Sequence, residues 1–435
     1  MSRISDLTSK VFEYLNANVL YAVLRNYDGL PFNNPGRDID ILVSKKSFNE
    51  IRKQLITLIN SVGYLIILHY NIERESFICT CNNGEQYKLI QFDFLFNCEV
   101  KGLLLIDAEE ILDRRIFNGN IYHVSPEFEY LTKFLYNKLL NHPYPEKYSS
   151  LEKQMRANDF VKKEIENIFR ISFDKFTRTH SSKLFRKRLF YNLTHTPVEQ
   201  LSHIIKIFYR KLNHHFYYSG ISIGFTGPDG SGKTTIITSF NSIFKMVCKV
   251  GLFHFRPTLF SNISDVANNI GIKKAVDKNY SNPHRGSHVG FFNSFLRLLY
   301  YSTDFILGYI IHIHKLLTRS QIIIFDRYYT DVIVDSRRSR IFLNHKFLYW
   351  FGKLFIPALD YNILLTADRD VILSRKQELD EKGIDEINEK MNYLSKKKGY
   401  YLVINNGKPE EAVQKILTLV FEGQHLKNMK RIMKG

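Results

Sequence analysis

The chain has 435 residues, more than one ordinary core accommodates, so at least two domains are expected. Hydrophobic residues make up 44%, enough for a soluble core, and 61 Lys and Arg against 43 acids leave a formal charge of +18, which favours anionic partners: nucleotides, nucleic acid, phosphorylated glycans or an acidic membrane surface. Cys79, Cys81, Cys98 and Cys248 fit neither a disulfide framework nor a zinc site, and the longest apolar stretch, Phe291–Leu317, is too broken by Arg297, Asp304, His312, His314 and Lys315 to span a membrane.

Met1-Ser-Arg-Ile-Ser-Asp6 lacks the apolar centre of a signal peptide, so a cytoplasmic protein with reduced thiols is expected. The first domain is placed at 1–150. Leu7, Val11, Phe12 and Leu15 recur at helical spacing, and Leu20–Leu24 reads as a strand. A loop punctuated by Asp28-Gly29, Leu30-Pro31 and Pro35-Gly36 leads into Arg37-Asp-Ile-Asp-Ile-Leu-Val43. Asp38 and Asp40 are two apart on this strand, so both carboxylates leave one face. A helix over 47–62 and a strand over Lys88–Phe96, carrying Asp93, follow.

At Asp38, Asp40 and Asp93 the chain resembles the nucleotidyltransferase superfamily, whose members hold Mg²⁺ with a D-x-D pair and a third acid on a neighbouring strand. The resemblance implies a small mixed α/β domain with a metal site at these three residues. Where the family has a Gly-Ser dipeptide, this chain has Leu24-Arg25-Asn26-Tyr27 and Gly36-Arg37. An active transferase and a degenerate, substrate-binding or structural version both stay open.

Residues 151–215 read as a basic helical connector. Twelve Lys or Arg face four acids over 160–220, densest at Arg186-Lys187-Arg188. Thr196-Pro197-Val198-Glu199 is a helix start with a capping-box pattern, and Leu201, Ile204, Ile205, Phe208 and Leu212 form an apolar stripe beyond it. A helix packed on the next domain, or docking to an acidic membrane or polyanionic substrate, would account for it.

The second domain, 216–435, opens on the apolar run Ile221, Ile223, Phe225, which breaks into Gly227-Pro-Asp-Gly-Ser-Gly-Lys-Thr234, a complete G-x-x-x-x-G-K-[ST] match ahead of a helix. Gly227, Gly230, Ser231 and Gly232 let backbone N–H groups cradle phosphates, helped by the helix N-terminus at Thr235. Lys233 reaches the β- and γ-phosphates and Thr234 holds Mg²⁺. Arg256-Pro257, a polar stretch over 261–287 expected as a mobile loop, and a helical Phe291–Leu317 come next. Gln321–Phe325 reads as a buried parallel strand ending in Asp326-Arg327-Tyr328, where open α/β sheets bind ligands. Later strands are Tyr361–Leu365 and Tyr401–Ile404, with a charged helix around Arg375 between them.

Together, Gly227–Thr235, Arg256-Pro257, Asp326-Arg327-Tyr328 and the Arg375 segment resemble the thymidylate kinase family of P-loop kinases over roughly 220–422. The resemblance implies a doubly wound parallel sheet using ATP and Mg²⁺. It also implies Asp229 on an acceptor hydroxyl, Arg256 and Arg327 on the acceptor phosphate, Asp326 beside the metal and Arg375 near a lid over ATP. The joining of both parts in one chain looks like the thymidylate kinase-like proteins found alongside bacterial surface-polysaccharide enzymes. The expected fold is thus α/β, and the expected activity is Mg²⁺- and ATP-dependent phosphoryl transfer to a hydroxyl or phosphate of a sugar, glycan or nucleotide, with the first two preferred. A nucleotide-binding regulator with little turnover is the alternative. Nucleic acid is not an expected partner, since no nucleic-acid module is visible. Peripheral membrane attachment through the connector and a homodimer are left open.

Overall fold

The computed structural model describes residues 3–33, 38–71, 73–82, 87–245, 248–257, 290–376 and 380–434. The stretch 261–287, expected as a loop, lies outside them. The chain forms two compact units, Met1–Tyr217 with Gln424–Gly435, and Tyr218–Gly423. All four cysteines are free thiols, and among the described residues no helix is long and apolar enough to cross a membrane.

The first unit is built on a mixed seven-stranded sheet. Its strands are β1 (Tyr21–Val23), β2 (Asp38–Val43), β3 (Leu65–Asn71), β4 (Arg74–Asn82), β5 (Tyr87–Leu95), β8 (Ile116–Phe117) and β9 (Tyr122–His123), ordered β3-β4-β5-β2-β1-β9-β8; β6 (Cys98–Val100) and β7 (Leu103–Ile106) pair separately. Alternation along β2 divides its side chains between two cores. Ile39, Ile41 and Val43 meet helices Arg3–Asn18 and Lys45–Ser61, while Leu42 meets helix Pro126–Leu140. The second core also takes in Met155, Val161, Ile165, Phe169, Phe176 and Leu184. The segment expected as a connector therefore belongs to the first unit, its apolar positions from Met155 to Leu184 filling the layer behind β1 and β2, whereas the expected stripe Leu201, Ile204, Ile205, Phe208 and Leu212 is exposed. The capping box expected at Thr196 is not formed: its hydroxyl donates back to Asn192 O at 3.3 Å instead.

The second unit holds a five-stranded, all-parallel sheet: β10 (Ile221–Thr226), β11 (Val250–His254), β12 (Ile322–Asp326), β13 (Tyr361–Thr366) and β14 (Tyr400–Ile404), ordered β11-β12-β10-β13-β14. All six residues of β10 are buried, as a central parallel strand requires. One face packs Phe225 on Phe240, and Phe244 of the same helix on Phe421. The other packs Phe325 on Tyr328, and Tyr328 on Phe305. Helices therefore cover both faces, giving the doubly wound α/β arrangement. The chain leaves β10, crosses to β11 at the edge, and returns to place β12 between them. The resulting reversal of strand order opens a crevice at the carboxyl ends of β10 and β12.

One buried charge in the first unit yields a measurable consequence. Glu75 on β4 has Arg52 Nε at 2.6 Å and His69 Nε2 at 3.0 Å from one carboxylate oxygen and Lys45 Nζ at 3.4 Å from the other. Burial pushes its carboxyl up, but His69, Arg52 and Lys45 outweigh that and bring it down from 4.5 to about 2. A depressed carboxyl stabilises the fold above its unfolded value and loses that contribution as pH falls through the folded one. Glu75→Gln should cost about 3 kcal/mol near neutral pH. The gap between variant and wild type should close as pH drops from 4.5 towards 2, read by thermal unfolding across pH; a pH-independent gap contradicts the assignment.

Candidate active site at the phosphate loop

β10 ends at Thr226, and the chain turns sharply before helix Lys233–Lys245. Gly230 and Gly232 adopt φ of 89° and 91°, a region that favours glycine. At Gly227 the constraint is space: a Cβ there would lie 1.9 Å from the carbonyl oxygen of Leu365 on β13. Asn405, just past β14, fixes the loop from the other side by donating from Nδ2 to Ser231 O at 2.9 Å. Arg375 Nη1 donates to Asn405 O at 3.0 Å. The helix bearing Arg375 (Arg369–Arg375) approaches the loop so closely that a Cβ on Gly230 would sit 2.9 Å from Ile372 O. Arg375 is thus placed beside the phosphate loop.

Lys233 curls back into the loop that precedes it. Its buried ammonium donates to the carbonyls of Gly227 and Pro228, both at 2.8 Å, with Asp229 Oδ1 at 3.8 Å. Burial first, then the charge of Arg327, lowers its pKa from 10.5 to about 7, against the opposing pull of Asp229, Asp331 and Asp326. Ser231 is fully buried and its hydroxyl has no hydrogen-bond partner among the described residues. Thr234 and Thr235, at the start of the helix, are exposed.

Asp229 is the centre of an ion-pair network. Arg327 Nη2 donates to its Oδ1 at 2.7 Å, and Arg338 Nη2 donates to its Oδ2. Arg327 in turn bonds Asp331 Oδ1 at 2.7 Å, and Arg338 Nε lies 3.5 Å from Asp335 Oδ2. Arg327 occupies a left-handed conformation, φ 74°, with its N–H bonded to Phe225 O at 2.9 Å. That backbone turn carries it off the end of β12 towards β10. Burial pushes the Asp331 carboxyl up despite Arg327.

Asp326 closes β12 next to Phe225 on β10 and His254 on β11. His254 Nδ1 lies 3.2 Å from its Oδ2, while its Oδ1 is buried without a hydrogen-bond partner among the described residues. Burial raises the Asp326 carboxyl, but His254, Arg327 and Lys233 outweigh it and leave it below its usual value. An ionised carboxylate with one oxygen uncommitted, close enough to Lys233 to feel its charge, fits the oxygen-ligand chemistry of Mg²⁺.

Arg256, expected on an acceptor phosphate, follows β11 but is buried with Nη1 2.7 Å from Asp304 Oδ2 and its guanidinium 4.8 Å from the Tyr301 ring centre. The residues that join the site without having been singled out for it are Arg338, Asn405 and His254. Arg338 stood in a charged run after Asp326-Arg327-Tyr328 with no pattern to separate it from a surface patch. Asn405 and His254 are strand-end residues, whose role depends on strand order and carries no local signal.

In the first unit, β2 and β5 pair in parallel with Asp40 opposite Asp93. Asp38, Asp40 and Asp93 each offer an oxygen within 4.8 Å of the others. Arg25 Nη2 lies 2.7 Å from Asp40 Oδ2, Arg74 Nε 3.3 Å from Asp93 Oδ2, and Gln91 Nε2 donates to Asp93 Oδ1 at 2.9 Å. Asp40 Oδ1 is buried with no hydrogen-bond partner among the described residues. Burial lifts the Asp93 carboxyl above its usual value, more than Arg74 lowers it. The all-carboxylate donor set suits a hard divalent cation. Arg25, from the segment that departs from the family pattern, already supplies part of the countercharge.

No protein-family model matches the chain, and no curated protein does. Among solved structures it is similar to thymidylate kinase from Ehrlichia chaffeensis, at 15% identity, over 46% of this chain and 98% of that one, with a TM-score of 0.30.

A lysine near 7 in the free loop gives a signed expectation for phosphate binding. A phosphate partner favours the charged form, so nucleotide binding should take up about one proton above pH 7 and almost none well below it. Affinity should then fall by up to about tenfold per pH unit on the alkaline side. Calorimetry of nucleotide binding in buffers of different ionisation heat reads the proton count directly; equal uptake on both sides of neutrality contradicts it.

Proposed function

We propose that the second unit is an ATP- and Mg²⁺-dependent phosphotransferase acting on an anionic acceptor. The observation that carries this reading is the buried Lys233, folded onto its own loop carbonyls between Asp229 and Asp326. In this reading the N–H groups from Gly230 to Thr235 take phosphate oxygens, and Lys233 exchanges the carbonyls of Gly227 and Pro228 for them. Thr234 and Asp326 would hold Mg²⁺, which when bound offsets phosphate charge. Arg375, tied to Asn405, lies on the nucleotide side.

The network around Asp229 supports an anionic acceptor. Arg327 and Arg338 are both held at Asp229, and an arginine fork suits a phosphate or carboxylate. With both oxygens engaged by arginines, Asp229 aims the two guanidinium groups and orients a hydroxyl. Arg256 is held by Asp304 and Tyr301. The acceptor class is a sugar, glycan or nucleotide phosphate, and a transferase-like unit in the same chain favours polysaccharide biosynthesis as its setting.

Two substitutions separate the roles. Lys233→Ala should lower phosphoryl transfer by roughly 10²-fold or more while circular dichroism stays unchanged. Arg338→Ala should raise the acceptor KM or lower kcat, a loss of about 1.5–3 kcal/mol, and leave nucleotide affinity nearly unaltered. Equal losses towards nucleotide and acceptor, with a lower melting temperature, would make Arg338 a fold residue and remove the support for an anionic acceptor.

A second reading concerns the first unit, where the uncommitted Asp40 Oδ1 favours a divalent-cation site at Asp38, Asp40 and Asp93. Asp40→Asn should weaken Mn²⁺ binding to the full chain carrying Lys233→Ala, followed by calorimetry. Retention of full Mn²⁺ affinity would assign the three acids to pairing with Arg25 and Arg74 alone.

A further inference from the structure

Helix Pro197–Phe216 presents its faces in the reverse of the usual order. A surface helix normally buries its apolar stripe and exposes its polar side. Here the inward seam is Gln200, Ile207 and His214, seven residues apart. Gln200 Nε2 donates to Gly102 O at 2.6 Å, and its Oε1 accepts from Asn192 Nδ2 at 2.7 Å. His203 Nδ1 lies 3.1 Å from Glu99 Oε2, and the His214 ring packs edge-on to Tyr70. This seam is narrow and largely polar, yet it fixes the helix to the first unit.

The outward face is the apolar one. Val198, Leu201, Ile205, Phe208, Tyr209, Leu212 and Phe216 are between 48% and 79% exposed. At 3.6 residues per turn they fall within about 100° of arc. Lys206 lies along one edge of that arc and Lys211 along the other. Lys211 also reaches Glu73 Oε1 at 3.9 Å. The helix carries a single acid, Glu199, in its first turn.

We propose that this face lies in the interfacial layer of an anionic membrane. A wide aliphatic and aromatic face edged by cations on both sides matches an interfacial helix: the apolar side chains enter the acyl boundary and the lysine and arginine stems reach headgroup phosphates. The complementarity is one of charge. The face carries no carboxylate to meet a cationic partner, and the chain bears a net charge of +18. The helix rests on the surface and does not cross it, in keeping with the absence of any spanning helix among the described residues. The inference is independent of phosphoryl transfer, since none of these residues belongs to the phosphate-loop site.

The test is sedimentation of the full chain with vesicles of phosphatidylcholine alone or with about 30% phosphatidylserine. Wild type should bind the anionic vesicles, bind the neutral ones at least tenfold more weakly, and release as salt rises. Phe208→Asp combined with Leu212→Asp should lower partitioning about tenfold or more with an unchanged melting temperature, because both side chains are exposed. Lys206→Glu with Lys211→Glu should abolish the preference for anionic lipid. No wild-type binding to anionic vesicles would overturn the proposal, as would equal binding by the Phe208→Asp/Leu212→Asp variant. A concentration-dependent dimer in solution that Phe208→Asp dissociates would overturn it in favour of a second copy.

Discussion

A buried ammonium held by two carbonyl oxygens of its own loop sets the terms for the second unit. Lys233 has lost its water and lies near Arg327, so its charged form is disfavoured until a stronger anion arrives. Everything around it limits what that anion is. Leu365 and Asn405 leave no room for side chains at Gly227 and Gly232, so the loop presents backbone rather than side chains. Asp326, next in the sheet, keeps one oxygen uncommitted. Asp229 is already committed to two arginines. The result is a division of charge: a cationic cradle at the loop, a carboxylate at the end of β12, and a pair of guanidinium groups beyond Asp229.

The parallel sheet is what makes this division possible. In-register pairing of β10 with β12 brings Phe225 beside Asp326 across just over a hundred residues of chain. A parallel sheet allows that only because helices cover both faces and carry the crossovers. Arg327 itself adopts the left-handed turn, and its own side chain reaches Asp229 in the loop. Substituting the backbone geometry, without touching any functional group, would therefore disturb the site as much as removing a charge.

Much of this was legible from residues alone, and the limits have physical causes. The β10–loop–helix segment carries its information locally, in glycines needing positive φ and in a lysine at a fixed offset. The strands β2, β5, β12 and β13 were visible from alternation or from continuous apolar runs. Arg338, Asn405 and His254 were not, because each acts across strand order or through a side chain reaching from another helix. Arg256 looked like an acceptor ligand by position, but Asp304 on a distant helix pairs with it. The basic stretch after residue 150 read as a linker because its charges dominate the composition; its apolar positions from Met155 to Leu184 belong to the core behind β1, while the stripe from Leu201 to Leu212 stays exposed. In the first unit Arg25 marked a departure from pattern in the sequence, and its side chain sits on Asp40.

The two units thus share a chemical theme, acids and arginines arranged around positions where one carboxylate oxygen stays open, on unrelated sheets. The central claim is that the second unit moves a phosphoryl group to an anionic acceptor. It is tested most directly by incubating the purified chain with ATP labelled in the γ-phosphate and Mg²⁺, offering separately sugar phosphates, glycan phosphates and nucleoside monophosphates, and following the label. Label covalently on one acceptor class, in amounts exceeding the protein, is the predicted result. ATP bound with no label transferred to any class would contradict the account and leave a nucleotide-binding regulator in its place.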